Sequence, residues 1–451
     1  MRSNYKIKVR DILWVLLAYI LFYCFNPALF PNVMEKINII LILVTLFGLV
    51  LTHKIIRKDA VWCMAFAFYA IYIILQTLSS DMVTSITLVC SRYILCPAIA
   101  LIGIFISSSY SYDLTKTQDL IWRIMWGWGL VLFVLGVYET FTGHYILEVS
   151  SSVEETISSF SSSSVGIVRA MVFSKSYLLL GDLYGILAVT SFCLYKRLKN
   201  KIYLISVFVF LVGTFLGLSR GSLVGTISGF IILFLIKEKN ISSKIPIRKI
   251  FSVLKWSVVV IVLIILIFTV FQSNEIIKYC TDRIITIFNW SSDYSNTTRM
   301  DHWRVFIDIW VSSPRNFLFG TGGLTAEYLS SIHTVTESGF LQHLVEIGLI
   351  GSILYYILLL YPFVKYVKSH VKTNFGNWTI GCFTILFIHD FVLQISAEYY
   401  ICVLMWLFVM MMIVENRRIY VLKEKILIYE ENGYASENSK KSVEQHRLYK
   451  I

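Results

Sequence analysis

Residues 340–364 read FLQHLVEIGLIGSILYYILLLYPFV, a run of 25 residues in which Glu346 is the only charged side chain. A bilayer core about 30 Å thick requires about 20 apolar residues per helix, so this run is long enough to cross a membrane. Its apolar residues follow one another instead of alternating with polar ones, which favours a helix over a barrel strand. The run therefore predicts a transmembrane helix.

Eleven similar runs occur elsewhere in the chain. The whole sequence is 57% hydrophobic and 15% charged, whereas soluble domains are about 45–50% apolar and about 25% charged. The sequence therefore predicts an all-α polytopic integral membrane protein with about 12 transmembrane helices. The other runs are residues 11–26, 37–52, 61–78, 86–106, 124–141, 171–194, 202–218, 222–236, 256–271, 378–397 and 399–414.

The basic residues predict the topology. The formal net charge of +12 would suggest nucleic acid in a soluble protein, but Lys and Arg also accumulate in cytoplasmic loops. If the N-terminus is cytoplasmic, the inner segments carry nearly all of the basic residues, and the short outer loops carry only Lys36, Arg169 and Arg220. We therefore expect a multi-pass protein of the inner or plasma membrane with both termini cytoplasmic, and no nucleic-acid partner.

The same topology divides the chain into four segments. We expect transmembrane helices 1–9 within residues 1–271, a large extracytoplasmic loop at 272–339, helices 10–12 within 340–414, and a cytoplasmic tail at 415–451. The large loop is predicted to contain short helices at about 275–289 and 299–312. A second outer segment, 142–170, is rich in serine, a composition that favours a mobile loop.

Arginines at the outer face are the first candidates for chemistry. Arg220 lies in a short hairpin between two runs, where a guanidinium can bind phosphate oxygens or simply extend to the lipid headgroups. Arg299 and Trp303 share one face of the predicted 299–312 helix, with Arg283 as a companion on the preceding helix. The alternative for this segment is an amphipathic helix lying on the membrane.

Glu337 lies where the large loop re-enters the membrane. An acidic residue followed by Ser338 favours a helix N-terminus. A carboxylate beside the arginines can also act as a base or orient the acceptor. Asp293 and Asp301 are other acids that qualify as the base. The histidines His302, His333, His343 and His389 show no metal-ligand spacing. Seven charged residues lie inside or at the edges of the apolar runs, where such residues usually pair with one another or line a polar cavity: Arg92, Glu139, Lys175, Asp182, Glu346, Asp390 and Glu398.

Four motifs occur in a fixed order between residues 205 and 360. They are LSRGSLVG at 218–225, SNTTRMDHW at 295–303, SSPRNFLFGTGG at 312–323 and ESGFLQHLVEIGLIGSILYY at 337–356. This ordered set resembles the O-antigen polymerase and ligase family of Wzy-like and WaaL-like membrane proteins. The N-terminal half of the chain is similar to the family only in hydropathy.

The resemblance implies a GT-C-like membrane glycosyltransferase that inverts the anomeric centre and needs no metal or other cofactor. Its donor and acceptor would be glycans on polyprenyl diphosphate, with a flippase and a chain-length regulator as further partners. Arg220 and Arg299, with Arg283, would bind the diphosphate. Glu337 occupies the position where ligases of the family carry a histidine, which favours a polymerase with Glu337 as catalytic residue.

Two alternatives remain at this point. A ligase of the same family would transfer finished glycan to a lipid or protein acceptor. A transporter or flippase of lipid-linked sugars would also suit about twelve spans, although transporters are often built from internal repeats, and we see none in this sequence.

Overall fold

The chain folds into a bundle of helices. The computed structural model describes residues 18–30, 33–52, 60–79, 86–107, 114–147, 169–217, 219–236, 294–331, 335–369 and 371–431, and within these ranges it contains no strand. The helices are α1 (residues 18–25), α2 (Val33–Thr52), α3 (Ala60–Leu78), α4 (residues 86–107), α5 (Leu114–Thr142), α6 (Tyr177–Leu198), α7 (Lys201–Leu216), α8 (Arg220–Leu235), α9 (Tyr294–Val311), α10 (Pro314–Phe319), α11 (Ala326–Leu329), α12 (Gly339–Lys368), α13 (Asn374–Val392) and α14 (Tyr399–Glu431).

Six of these helices are long and apolar enough to cross a membrane: Ala60–Leu78, Gln118–Thr142, Tyr177–Leu198, Gly339–Lys368, Asn374–Val392 and Tyr399–Val421. Three shorter apolar helices, Leu88–Ile104, Lys201–Leu216 and Arg220–Leu235, lie among them. Large apolar side chains such as Phe47 and Phe68 are exposed on the outer helices, as lipid contact requires. The prediction of an all-α polytopic membrane protein is confirmed. The predicted span at 256–271 lies outside the described residues, so the count of twelve stays a prediction.

Contacts between helix ends define two ends of the bundle. At one end, Ser338 before α12 donates to the carbonyl of Phe391 in α13, and Ser219 before α8 lies beside His389. We call this the Arg220 end. At the other end, Arg197 pairs with Asp119 and Thr373 donates to Glu415. Between these ends α5 to α8 run in alternating directions, and so do α12 to α14.

The prediction of a helix over 171–194 was wrong at its beginning. Helix α6 begins at Tyr177, with Ser176 as its N-cap. The preceding segment is a loop because the buried carboxylate of Glu139 accepts hydrogen bonds from the amides of Met171 and Val172, each at 2.8 Å. Val172 and Lys175 adopt positive φ there, which no α-helix permits.

Two other predicted boundaries also moved. Helix α13 ends at Val392 instead of 397, because Asp390 accepts a hydrogen bond from the amide of Ser396 and stabilises a 3₁₀ turn at Ile395–Ala397. Helix α14 continues to Glu431, into the segment expected to be a tail. The predicted helix at 299–312 overlaps α9, whereas the one at 275–289 lies outside the described residues, as do residues 148–168 of the serine-rich segment 142–170.

Helix α12 is broken inside the apolar run at Gly348, where φ is 67° and ψ is −177°. Backbone amides of the large loop donate hydrogen bonds to the carbonyls that the break leaves without helical partners. The amides of Thr321 and Gly322 donate to the carbonyls of Val345 and Glu346 at 2.9 and 3.0 Å. A Cβ on Gly320 would collide with this backbone. The loop segment is thus fixed against the first part of α12, and that contact positions the residues before α12.

Candidate functional site

Arg299 and Glu337 form an ion pair at the beginning of α12. The Nε of Arg299, on α9, lies 2.7 Å from Oε2 of Glu337. The two side chains are 22% and 23% exposed, so the pair is partly shielded from water while remaining accessible to a ligand. Nε–H is one of five N–H donors of a guanidinium, and this bond is therefore compatible with anion binding by the others.

The backbone of Glu337 is held in a left-handed conformation, with φ of 52°. Its neighbours are fixed on both sides. The amide of Thr336 donates to Oε1 of Gln394 at 3.0 Å, and the hydroxyl of Ser338 donates to the carbonyl of Phe391 at 2.8 Å. Residues in this region cost about 1–3 kcal/mol and cluster at functional sites.

The helix N-terminus favoured by the alternative interpretation is present, but it uses the serine alone. Ser338 is the N-cap of α12 and accepts from the amide of Leu341 at 3.3 Å. The first turn of α12 contains no acidic residue. Glu337 precedes the cap, and its carboxylate contacts Arg299 instead of the helix dipole.

His302 also lies beside Glu337. It follows Arg299 by three residues on α9, and its Nδ1 lies 3.6 Å from Oε1 of Glu337. The sequence analysis did not single out this histidine, because it shows no ligand spacing and its acidic neighbour is 35 positions away. The spacing of three from Arg299, which puts both on one helix face, was the only available signal.

Arg220 is the first residue of α8 and is partly buried. Ser219 is the N-cap and accepts from the amide of Ser222 at 3.3 Å. A helix N-terminus carries a partial positive charge that disfavours a cation by about 0.3–1 kcal/mol. A guanidinium and a helix N-terminus at one place instead favour a shared anion.

The C-terminal turn of α13 links Arg220 with Glu337. On one side, the Nε2 of His389 lies 3.4 Å from Oγ of Ser219, and a Cβ on Gly221 would collide with the imidazole. On the other side, a Cβ on Gly339 would collide with the carboxylate of Asp390. The beginnings of α8 and α12 are therefore both packed against residues 389–391, at the Arg220 end.

The comparisons with known proteins concern this same part of the chain. Residues 205–356 match the family model Wzy_C, described as O-antigen ligase. Over these residues, about a third of the sequence, the chain is similar to the O-antigen polymerase/ligase family, and this match supports that assignment. No curated protein matches the chain at a significant level.

The O-antigen polymerase/ligase match covers Arg220, Arg299 and Glu337. This similarity supports a membrane enzyme of the glycosyl-transfer type, of ligase or polymerase character, in O-antigen-related polysaccharide synthesis. Arg283 and Asp293 lie outside the described residues. Asp301 pairs with Arg304 at 3.1 Å, and both side chains are exposed.

A buried pair outside the matched segment lies beneath the first turn of α8. Nδ1 of His389 lies 2.7 and 2.8 Å from the carboxylate oxygens of Asp182 on α6, and both side chains are fully buried. Ser222 of α8 lies 3.5 Å from the same nitrogen. The pair joins α6, α8 and α13, so it fixes the helix that carries Arg220.

Two other charged residues of the apolar runs, Arg92 and Glu346, bond to neutral polar side chains instead of to each other. Arg92 donates to Gln342 at 2.6 Å, in a π-helical turn of α4. Glu346 accepts from Gln342 at 2.9 Å and from Tyr93. This network lies one to two turns below the N-terminus of α12 and attaches its first part to α4.

Proposed function

We propose that this protein polymerises polyprenyl-diphosphate-linked oligosaccharide repeat units into a surface polysaccharide, such as O-antigen, capsule or exopolysaccharide. A hydroxyl of the acceptor glycan attacks the anomeric carbon of the donor sugar and forms the new C–O bond with inversion. The bond from that carbon to the diphosphate oxygen breaks, and its electron pair leaves with the lipid diphosphate. The hydroxyl proton passes to a base on the protein.

The observation that carries this proposal is the convergence of two arginines on one end of the bundle. Arg220 begins α8 and Arg299 contacts the residue before α12, and both helices pack against the end of α13. A diphosphate leaving group gains negative charge as the bond breaks. Fixed cations and helix N-termini in a site with little water stabilise such charge strongly.

The amphiphilic donor also suits this location. Its tail belongs in lipid and its diphosphate at the interface, and the ends of membrane-spanning helices lie at that depth. In our proposal Arg220 and Arg299 bind the diphosphate, with Arg283 as a further contact. Glu337 either accepts the proton of the acceptor hydroxyl or orients that hydroxyl.

The family description favours a second candidate, a glycan ligase. The two reactions share the donor and differ in the acceptor. We favour the polymerase because Glu337 stands where the resemblance expects the histidine of ligases, and the ligase interpretation needs that histidine to act on its acceptor.

Reconstitution into proteoliposomes with lipid-linked repeat units and no ion gradient tests the proposal. We expect glycan chains of increasing length and one lipid diphosphate released for each linkage formed. Elongation only after addition of a lipid or protein acceptor would indicate the ligase. Movement of the lipid-linked unit across the bilayer without any new linkage would contradict glycosyl transfer.

Separate Arg220→Lys and Arg299→Lys variants test the site. Loss of a well-placed donor to a developing anion lowers kcat by about 10²–10³, and we expect losses of that order because lysine lacks the planar fork. Arg304→Lys is the matched control, since Arg304 is on α9 but 74% exposed. Undiminished long polymer with both site variants would remove this assignment.

A further inference from the structure

We propose that His302 is the general base of the transfer and that Glu337 orients its imidazole. This inference rests on the proposed function and replaces the two roles left open there for Glu337. It starts from one distance, the 3.6 Å between Nδ1 of His302 and Oε1 of Glu337. Within the described part of the chain, this nitrogen has no hydrogen-bond partner although it is buried.

Glu337 itself is poorly suited to accept the proton. Its Oε2 already receives a charge-assisted hydrogen bond from Arg299 at 2.7 Å. Protonation of the carboxylate would break that ion pair at the moment when Arg299 is needed as a fixed cation. Charge-assisted bonds are about twice as strong as neutral ones, so the carboxylate is better used as a permanent anion.

The two oxygens of Glu337 then have separate partners. Oε2 holds Arg299 and Oε1 faces His302. An Nδ1–H directed at Oε1 leaves Nε2 unprotonated and able to accept a proton, the arrangement of a base oriented by a third group. Catalytic hydrogen bonds are often long before substrate binds, so the separation of 3.6 Å is compatible with a hydrogen bond of about 3 Å in the substrate complex.

The face of α9 that carries His302 is rigidly docked. Phe306, one turn beyond His302, is fully buried in a cluster with Leu341 and Val345 of α12, and Trp303 and Trp310 pack against it. Arg299, His302 and Phe306 follow the spacing of a single helix face. This packing presents the arginine and the histidine together to the turn at Glu337.

In the described part of the chain, the charged side chains placed beside His302 are those of Glu337 and Arg299. Glu337 precedes α12, and Arg299 is one turn back on α9. The nearest ionisable residue along α12, His343, stacks on Tyr355 with ring centroids 4.4 Å apart. Arg315 of α10 donates to the carbonyl of Ser79.

The proton balance of the step is complete. Nε2 takes the proton of the attacking hydroxyl, the oxygen forms its bond to the anomeric carbon, and the lipid diphosphate leaves with the electron pair. The imidazolium that forms is stabilised by the Glu337 carboxylate. Release of the proton to water restores the neutral base.

The test is steady-state kinetics of His302→Gln in proteoliposomes. Loss of a general base costs about 10²–10⁴-fold in rate, so we expect kcat to fall by that factor with KM changed by less than about threefold. The fall in rate on the acidic side of the wild-type pH profile should disappear. Imidazole added to His302→Ala should restore part of the activity, whereas Glu337→Ala should not respond to it.

Arg304→Gln, on the exposed face of the same helix, is the control and should leave kcat and the pH profile unchanged. A His302→Gln enzyme with wild-type kcat, or with an unaltered acidic limb, would overturn the inference while leaving the polymerase assignment intact. If neither His302 variant folds, diethyl pyrocarbonate modification of the wild-type enzyme, mapped by mass spectrometry, replaces them. Inactivation must then follow modification of His302 and be slowed by lipid diphosphate, and inactivation without His302 modification would refute the base.

Discussion

The left-handed backbone at Glu337 predicts an unusual order of stabilities. Glu337→Ala loses the bond to Arg299, worth about 1.5–3 kcal/mol for a charged partner, and keeps the strained φ of 52°. Glu337→Gly loses the same bond but relieves about 1–2 kcal/mol of strain. Glycine also gives the unfolded chain more freedom, at about 0.4–1 kcal/mol. The glycine variant should therefore be more stable than the alanine variant by about 1 kcal/mol.

Equilibrium unfolding in mixed micelles measures this difference, and transfer assays on the same samples measure function. Both variants should lose activity equally, because activity depends on the carboxylate and not on the backbone strain. Glu327 provides the control, since it is exposed in the right-handed helix α11, where alanine should be more stable than glycine. If Ala equals or exceeds Gly at position 337, the strained turn and its role in positioning the site are wrong.

Three further predictions concern the framework of the site. Asp182→Ala removes the carboxylate that contacts Nδ1 of the buried His389 and should cost about 1–3 kcal/mol, measured by unfolding; an unchanged free energy of unfolding would show that the buried pair does not form. Gly348→Ala forces a side chain into a left-handed break and should lower both the folded yield and the activity, whereas Ile347→Ala should preserve the break and its capping contacts. Burial raises the pKa of the Glu398 carboxyl above its ordinary value, so folding favours its protonated form. Stability should therefore fall as pH rises from the ordinary to the raised pKa, and Glu398→Gln should remove that fall in melting temperatures measured from pH 4 to 8.

Much of the helix framework could be predicted because lipid imposes one rule on every span. Continuous apolar runs such as 202–218 and 222–236 can satisfy their backbone only as helices, and α7 and α8 follow them within two residues. The break at Gly348 could not be predicted, because it interrupts a continuous apolar run. Its capping groups come from the distant Thr321 and Gly322, so the local sequence still reads as one apolar run.

The candidate site could be predicted only in part. The residue types and motif order indicated Arg220, Arg299 and Glu337, but no local pattern specifies that Arg299 contacts a carboxylate 38 positions away. The contact depends on α9 docking on α12 through apolar side chains such as Phe306. His302 was missed because its relation to Glu337 exists only after that docking.

Arginine footprinting of the wild-type protein tests the central claim most directly. Modification by a phenylglyoxal reagent is mapped by mass spectrometry with and without polyprenyl diphosphate, and Arg304 serves as an exposed internal reference. The account predicts that Arg220 and Arg299 are protected over the same range of lipid diphosphate concentration while Arg304 remains reactive. Protection of only one of the two arginines, or of neither, would contradict a shared diphosphate site.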